Sequence, residues 1–364
     1  MKELVEIVNA YDAAKTVGKD CVLATVVHVE GSSYRRPGAR MLVLENGLMI
    51  GAISGGCLEG DALKKALLTF TDKTARLVTY DTSDEEDATV GIQLGCEGII
   101  QVLFEYIHYS NIHNPIELIK KAISKRQETV IVTLFDLKNK QQPQIGTSYI
   151  IEQDGSANLK NEFRQAAQKV MDSASSEFIS KPELASDAFL QYIEPAISLV
   201  IVGAGNDAVP LSQMATILGW EVKVVDGRNT HAKQDRFINA CQVLVSKPEK
   251  VLEQINIDNR TCFVLMTHNY QYDLQMIKAL LPIPTSYIGL LGPKKKLTRI
   301  IEDLHKEGVF PTETQLAKVY GPTGLDIGAE TAEEIAISII AEIQAVMNKK
   351  NGAMLKWKEN QIHH

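Results

Sequence analysis

Apolar residues recur along the first half of the chain at two different periods. Leu4, Ile7, Val8, Tyr11 and Ala14 fall near helical spacing and Gly18 is a stop, so residues 2–18 are predicted as an amphipathic helix. Cys21–Val29 is rich in β-branched residues and reads as a strand. Arg40–Leu44 and Leu48–Ile53 flank Glu45-Asn46-Gly47, a hairpin signal because Asn-Gly tolerates positive φ. A helix is predicted from Leu58 to Leu68. Strands follow at Leu77–Tyr80 and Ile99–Tyr106, with the acidic stretch Asp84–Asp87 between them as a solvated loop. Next come a helix over Pro115–Arg126, a strand at Thr129–Leu134, half a hairpin at Ser148–Glu152 before Asp154-Gly155, and a helix over Asn161–Ser173. The polar residues beyond, with Pro182 and Pro195, read as a linker.

The second half alternates regularly. Ser198–Val202, Glu221–Asp226, Val243–Ser246, Cys262–Thr267 and Ser286–Leu290 are strand-length apolar runs, with helical stretches such as Val209–Leu218 and Tyr272–Leu281 between them. Such alternation predicts a parallel sheet with helices on both faces. The expected fold class is therefore α/β: an N-terminal α+β domain followed by a C-terminal Rossmann-like, doubly wound parallel-sheet domain. The expected boundaries are 1–110 for the N-terminal domain, 111–195 for an intermediate α/β region and linker, 196–350 for the Rossmann-like domain, and 351–364 for a polar tail.

Composition narrows the class. With 45% apolar and 23% charged residues among 364, the chain is an ordinary globular protein. No apolar run approaches the length of a membrane span, and Met1–Glu6 lacks a secretory pattern, so the expectation is a cytoplasmic protein with no membrane association. The net charge of −7, with Lys294-Lys295-Lys296 as the only tight basic cluster, argues against nucleic acid as partner. The five cysteines include no C-x-x-C pair. Cys21, Cys241 and Cys262 adjoin apolar runs and read as buried packing residues, whereas Cys57 and Cys96 lie among glycines.

The strand at Ser198 runs into Gly203-Ala204-Gly205-Asn206-Asp207-Ala208, a G-x-G-x-x-A dinucleotide loop, and Asp226 ends the next strand. Gly203 permits the tight turn, Gly205 and Asn206 place backbone near a pyrophosphate, and Ala208 lets helix and strand pack closely. The helix N-terminus adds free N–H groups. Asp226 would accept from ribose hydroxyls and favour NAD(H), a preference that Arg228 weakens. A Rossmann domain that keeps this geometry without binding NAD productively stays open. His268 and Asp273 follow the fourth strand of this unit, at the edge where ligands bind, and are candidate catalytic groups.

The densest chemistry lies earlier. The loop Gly31–Arg40 holds Arg35, Arg36 and Arg40, whose guanidinium forks suit phosphate. The hairpin after it delivers Ser54-Gly55-Gly56-Cys57-Leu58-Glu59-Gly60. With a helix starting near Leu58, Cys57 stands where the helix dipole favours thiolate, and Gly55 and Gly56 let a ligand approach the backbone. Cys57 is then either a reactive thiolate or soft metal ligand beside an anion site, or a cysteine tucked into a turn. Gly95-Cys96-Glu97-Gly98 is a similar, weaker candidate.

Gly31–Met41, Ser54–Gly60, Gly95–Gly98, Gly203–Ala208, Met266–Asn269 with Asp273, Tyr287–Gly292 and Gly324–Ala329 together resemble the xanthine dehydrogenase accessory protein family (XdhC/CoxI) over nearly the whole chain. The resemblance implies a maturation factor more than an enzyme. Such a factor binds the molybdenum cofactor (molybdopterin), assists its sulfuration by a cysteine desulfurase, and inserts it into xanthine dehydrogenase apoenzyme. On that reading Arg35, Arg36 and Arg40 meet the cofactor phosphate, Gly55, Gly56, Glu59 and Cys96 line the site, and Cys57 ligates molybdenum or relays sulfur. The helix Glu330–Met347, apolar on nearly every side, suits burial by a partner or by the first domain, and a homodimer is expected. The chain departs from the family at Asn206, where many relatives carry His, which weighs against proton transfer at that loop. It also carries Lys294–Lys296 where arginines are common. The alternative function is an NAD-dependent oxidoreductase acting on a small molecule, with His268 in proton transfer.

Overall fold

The computed structural model describes residues 1–81, 98–152, 161–180 and 186–358. The chain forms two units, Met1–Pro195 and Ala196–His364. The acidic stretch Asp84–Asp87, the turn at Asp154-Gly155 and Cys96 lie outside the described residues.

The first unit holds two antiparallel sheets. One joins β1 (Cys21–Gly31), β2 (Arg40–Leu44), β3 (Met49–Gly51), β4 (Arg76–Asp81) and β5 (Gly98–Tyr106) in the order β3-β2-β1-β5-β4. Side chains alternate along β1. Cys21 and Leu23 pack with Leu4, Ile7 and Tyr11 of α1 (Lys2–Thr16) and with Ile116 and Ile119 of α3 (Pro115–Ser124). Val22, Ala24 and Val26 pack with Leu58 and with Ala62 and Ala66 of α2 (Glu59–Asp72). The β2–β3 hairpin turns at Gly47, with φ of 83°. The helix α3 opens on Asn114, whose side chain accepts from Ile116 and Glu117 N–H, with Pro115 at the first helical position. Such a cap stabilises a helix by about 1 kcal/mol.

The second sheet runs β7-β6-β9-β8, built from β6 (Thr129–Phe135), β7 (Gly146–Glu152), β8 (Glu177–Ile179) and β9 (Asp187–Ile193). It packs on Phe163, Ala167 and Val170 of α4 (Asn161–Ser173). The stretch expected as a linker therefore carries two strands, and β9 is an interior one. Ala188, Phe189 and Leu190 are all buried between neighbours, an environment that a run broken by Gln191 and bounded by prolines does not announce.

The second unit is a six-stranded parallel sheet of β10 (Ser198–Val202), β11 (Glu221–Asp226), β12 (Gln242–Val245), β13 (Thr261–Leu265), β14 (Tyr287–Leu290) and β15 (Val319–Tyr320). Its order, β12-β11-β10-β13-β14-β15, is the 3-2-1-4-5-6 arrangement of dinucleotide-binding sheets. Successive β10 residues feed opposite cores. Leu199 and Ile201 meet α5 (Ala208–Ile217) and α10 (Ala332–Met347); Val200 and Val202 meet α7 (Tyr270–Leu280) and α8 (Lys294–Lys306). The helix α10 thus has a partner within its own unit, and Ile337 on its outer side stays exposed. Cys241 is exposed, not buried as expected. It precedes the edge strand β12, and its N–H is spent on Val222. The stretch expected as a polar tail exposes Met354, Leu355 and Trp357. No described helix is long and apolar enough to cross a membrane.

Candidate functional site

In the first unit, β1 hands the chain to a loop pinned at several points. A Cβ on Gly98 would lie 2.5 Å from the Ser32 carbonyl oxygen, so the first residue of β5 rests directly against the loop. Arg35 Nη2 meets Glu3 Oε2 of α1 at 2.6 Å. Gly38, at φ of 95°, sits where a Cβ would meet Gln191 Nε2 at 2.4 Å. Arg40 is fully buried beneath the loop and donates through Nη1 to Gly38 O at 3.2 Å and to Gln191 Oε1. Its Nε and Nη2 have no hydrogen-bond partner among the described residues. Burial lowers its pKa to about 10, against the raising influence of Glu105 and Glu3, so it stays charged at neutral pH. Arg40 therefore holds the loop from below and does not reach a ligand above it, contrary to the phosphate role expected of it. Arg36 is exposed, and its guanidinium has no partner among the described residues.

The cysteine loop is organised by Ser54, which the sequence does not single out. Its buried Oγ accepts from Gly56 N–H at 3.1 Å and Leu58 N–H at 3.0 Å, and lies 3.6 Å from Cys57 Sγ. It donates in turn to Glu59 Oε2, while Ser54 N–H donates to Glu59 Oε1 at 2.9 Å. Burial raises the Glu59 pKa, but these and further backbone hydrogen bonds outweigh it and hold the carboxylate below its ordinary value. Glu59 thus faces inward as loop scaffold.

Gly55 and Gly56 are exposed and Cys57 is half-buried, just ahead of Leu58, the N-cap of α2. Gly55 lies beneath the Tyr34 ring, where a Cβ would meet Tyr34 Cγ at 3.3 Å. Gly56 has φ of 113° and open space on its side-chain side. Tyr34 thus joins the arginine loop to the cysteine loop, and the residue is itself 68% exposed. No group of three or more His, Cys, Asp or Glu could hold a metal ion among the described residues, and the soft ligand these two loops present is the Cys57 sulfur.

In the second unit, Gly203 has φ of 117°, and a Cβ there would lie 2.4 Å from the Met266 carbonyl oxygen. The loop therefore presses onto the end of β13 in the way only glycine allows. Asp226 is buried; its Oδ2 accepts Ala204 N–H at 2.8 Å and Arg228 Nη2 at 2.8 Å. Arg236, missed in the sequence because it lies outside any motif, straps the loop. Its Nη1 donates to Ala204 O at 2.6 Å and to His231 O at 2.8 Å, and its Nη2 to Asn206 Oδ1 at 3.0 Å. The helices α7 and α10 are capped by Asn269 and Thr331 side chains. The helices α5, which starts at Ala208, and α8 have neither a side-chain cap nor an acid in the first turn. Their first N–H groups turn back on the chain instead: Ala208 and Val209 N–H donate to the Gly205 and Asn206 carbonyls at 3.3 Å, and Lys296 N–H to the Pro293 carbonyl at 2.8 Å.

His268 adopts φ of 55°, uncommon for a residue with a Cβ, and its Nε2 lies 3.0 Å from Asp207 Oδ2 over the glycine loop. Asp207 is the partner that sequence reading leaves unmarked. Asp273 is a different case from the one expected. It is fully buried, with Oδ1 accepting from Thr267 Oγ1 at 2.7 Å and Oδ2 paired with Lys296 Nζ at 2.7 Å. Lys296 also donates to Leu291 O at 2.9 Å. The pair joins the first turns of α7 and α8, and burial keeps the carboxylate away from solvent, contrary to the catalytic role expected of Asp273.

Similarity to known proteins extends over both units. Residues 199–343 match the XdhC Rossmann domain and residues 14–81 the XdhC and CoxI family. A Bacillus subtilis protein described as a probable xanthine dehydrogenase subunit is 32% identical over 91% of this chain and 94% of its own. The molybdenum cofactor insertion chaperone PaoD of Escherichia coli is 23% identical, over 90% of this chain and 84% of its own. A crystal structure described as a xanthine dehydrogenase from Bacillus halodurans superposes with a TM-score of 0.76 at 28% identity. It covers 95% of this chain and 97% of its own. Matched in both units and along nearly its full length, the chain belongs to the XdhC and CoxI family.

Proposed function

We propose that this protein is an insertion chaperone for the molybdenum cofactor of xanthine dehydrogenase-type hydroxylases. The observation that carries the reading is the juxtaposition of Tyr34 and Gly55, which puts an exposed aromatic ring, two exposed glycines and a half-buried thiol on two facing loops. The cargo is a flat pterin bearing phosphate and a dithiolene-bound metal. Tyr34 offers it a ring face, Gly55 and Gly56 offer close backbone, Arg36 offers an exposed cation, and Cys57 offers a soft ligand. Arg35, Arg40, Ser54 and Glu59 hold these groups in place. Relatives named as an insertion chaperone and as a xanthine dehydrogenase subunit support the same reading.

Sulfuration extends it: Cys57, once cargo is bound, is the sulfur-side contact for a cysteine desulfurase. Xanthine dehydrogenase apoenzyme is the receiving partner, and a cytoplasmic homodimer is the working form. Activation of an apo-hydroxylase by cofactor-loaded protein tests the function. We expect faster activation than with equal free cofactor, and equal rates would contradict it.

The second unit is read as a dinucleotide site. This rests on the strand–loop–helix Gly203–Ala208, in which Gly203 at positive φ makes the tight turn against β13, and on Asp226 at the end of β11. In this reading the nucleotide regulates the chaperone. Saturable NAD(P)H turnover, abolished in His268→Ala, would instead favour the oxidoreductase.

A further inference from the structure

The carboxylate that should read the ribose is already spent. Asp226 Oδ1 accepts Arg228 N–H at 2.8 Å and Arg228 Nε at 2.9 Å, while Oδ2 accepts Ala204 N–H and Arg228 Nη2, each at 2.8 Å. A carboxylate offers roughly four lone-pair sites, and all are used. A ribose 2′-hydroxyl donating to Asp226 has to displace Arg228 first.

The pair is asymmetric. The Asp226 side chain is 5% exposed and that of Arg228 48%. Arg228 binds side-on, through Nε and Nη2, so the Nη1 end of its fork has no partner among the described residues. The negative charge that repels a 2′-phosphate is therefore neutralised within the site, and an open guanidinium edge stands beside it. Tyr272 packs over Gly227, where a Cβ would meet its Cε2 at 3.3 Å, and its hydroxyl is tied to Ser246 O at 2.7 Å. The turn that carries Arg228 is thereby held against the sheet.

We infer that Arg228 is a specificity-determining residue that sets the second unit for a 2′-phosphorylated dinucleotide of the NADPH type over NADH. The inference rests on the dinucleotide reading of that unit. Arg228 meets the 2′-phosphate through Nη1 and Nη2 while Asp226 anchors it from behind. Removing Arg228 both deletes the phosphate contact and returns Asp226 to the 2′-hydroxyl, so the preference reverses instead of merely weakening.

The test is fluorescence titration of the full chain with NADPH and with NADH, for wild type, Arg228→Ala and Arg228→Gln. Gln keeps a donor for Asp226 without the charge and guards against a folding defect. Wild type is expected to bind NADPH about tenfold or more tightly than NADH, the effect of one charge-assisted contact. Both variants are expected to lose that preference, and in Arg228→Ala it reverses, with NADH bound more tightly than NADPH and more tightly than by wild type. Wild type binding NADH at least as well as NADPH, or an unchanged ratio in both variants, overturns the inference and leaves the dinucleotide site standing. Binding of neither dinucleotide by wild type overturns the dinucleotide reading itself, and the inference with it.

Discussion

Single residues here show how much burial decides. Gly56 and Gly203 share a positive φ, but only Gly203 has backbone packed against its side-chain position. Gly56→Ala should cost about 1–3 kcal/mol from backbone strain alone. Gly203→Ala should cost more, because the Met266 carbonyl has to move; urea denaturation of both variants checks the order. Asp226 makes a pH-dependent contribution. Burial raises its pKa, but hydrogen bonds from Arg228 and Ala204 win and hold it below the usual Asp value. Stability from this group is therefore fully present above the unfolded pKa of about 4 and is lost as pH falls through the lower folded value. Asp226→Asn should accordingly be less stable than wild type at pH 7, with the gap closing below about pH 4. The sequence puts Cys57 just ahead of a helix and Gly203 at a tight turn, and the structure has them there, because residue type and neighbours define such positions. It misplaces Arg40 and Asp273. A charged residue beside a motif reads the same whether it faces ligand or holds the motif from inside.

At the scale of elements, hydrophobic period predicts what it can. The parallel sheet is legible because its interior strands β10, β13 and β14 are buried throughout and read as nearly solid apolar runs. The strand β9 is not, since its polar Gln191 serves the arginine loop through Arg40, a contact between segments 151 residues apart. The two-residue strand β15 is too short for any period. The buried Asp273–Lys296 pair is the element-scale device most open to test. Lys296→Met strands a fully buried carboxylate and should cost about 3–5 kcal/mol by chemical denaturation. Combining it with Asp273→Leu should recover most of that loss, because an apolar pair removes both desolvation penalties. Equal destabilisation by the single and double variants would show that the charges matter only through their shape.

For the whole molecule, the proposed function gives each of the two units a site of different chemistry. The first offers an aromatic ring, glycine backbone, an exposed guanidinium and a thiol; the second offers a glycine turn, helix starts without side-chain caps and a paired Asp226. The proposed function stands or falls on cargo sitting on the first. The decisive quantity is the molybdenum-to-protein ratio retained through gel filtration after loading wild type, Cys57→Ala and Arg36→Ala with molybdenum cofactor. Near-stoichiometric retention by wild type is expected, with loss of most of it in both variants and folding unchanged. Retention in both variants equal to wild type, or none in wild type, would refute cargo binding at these loops.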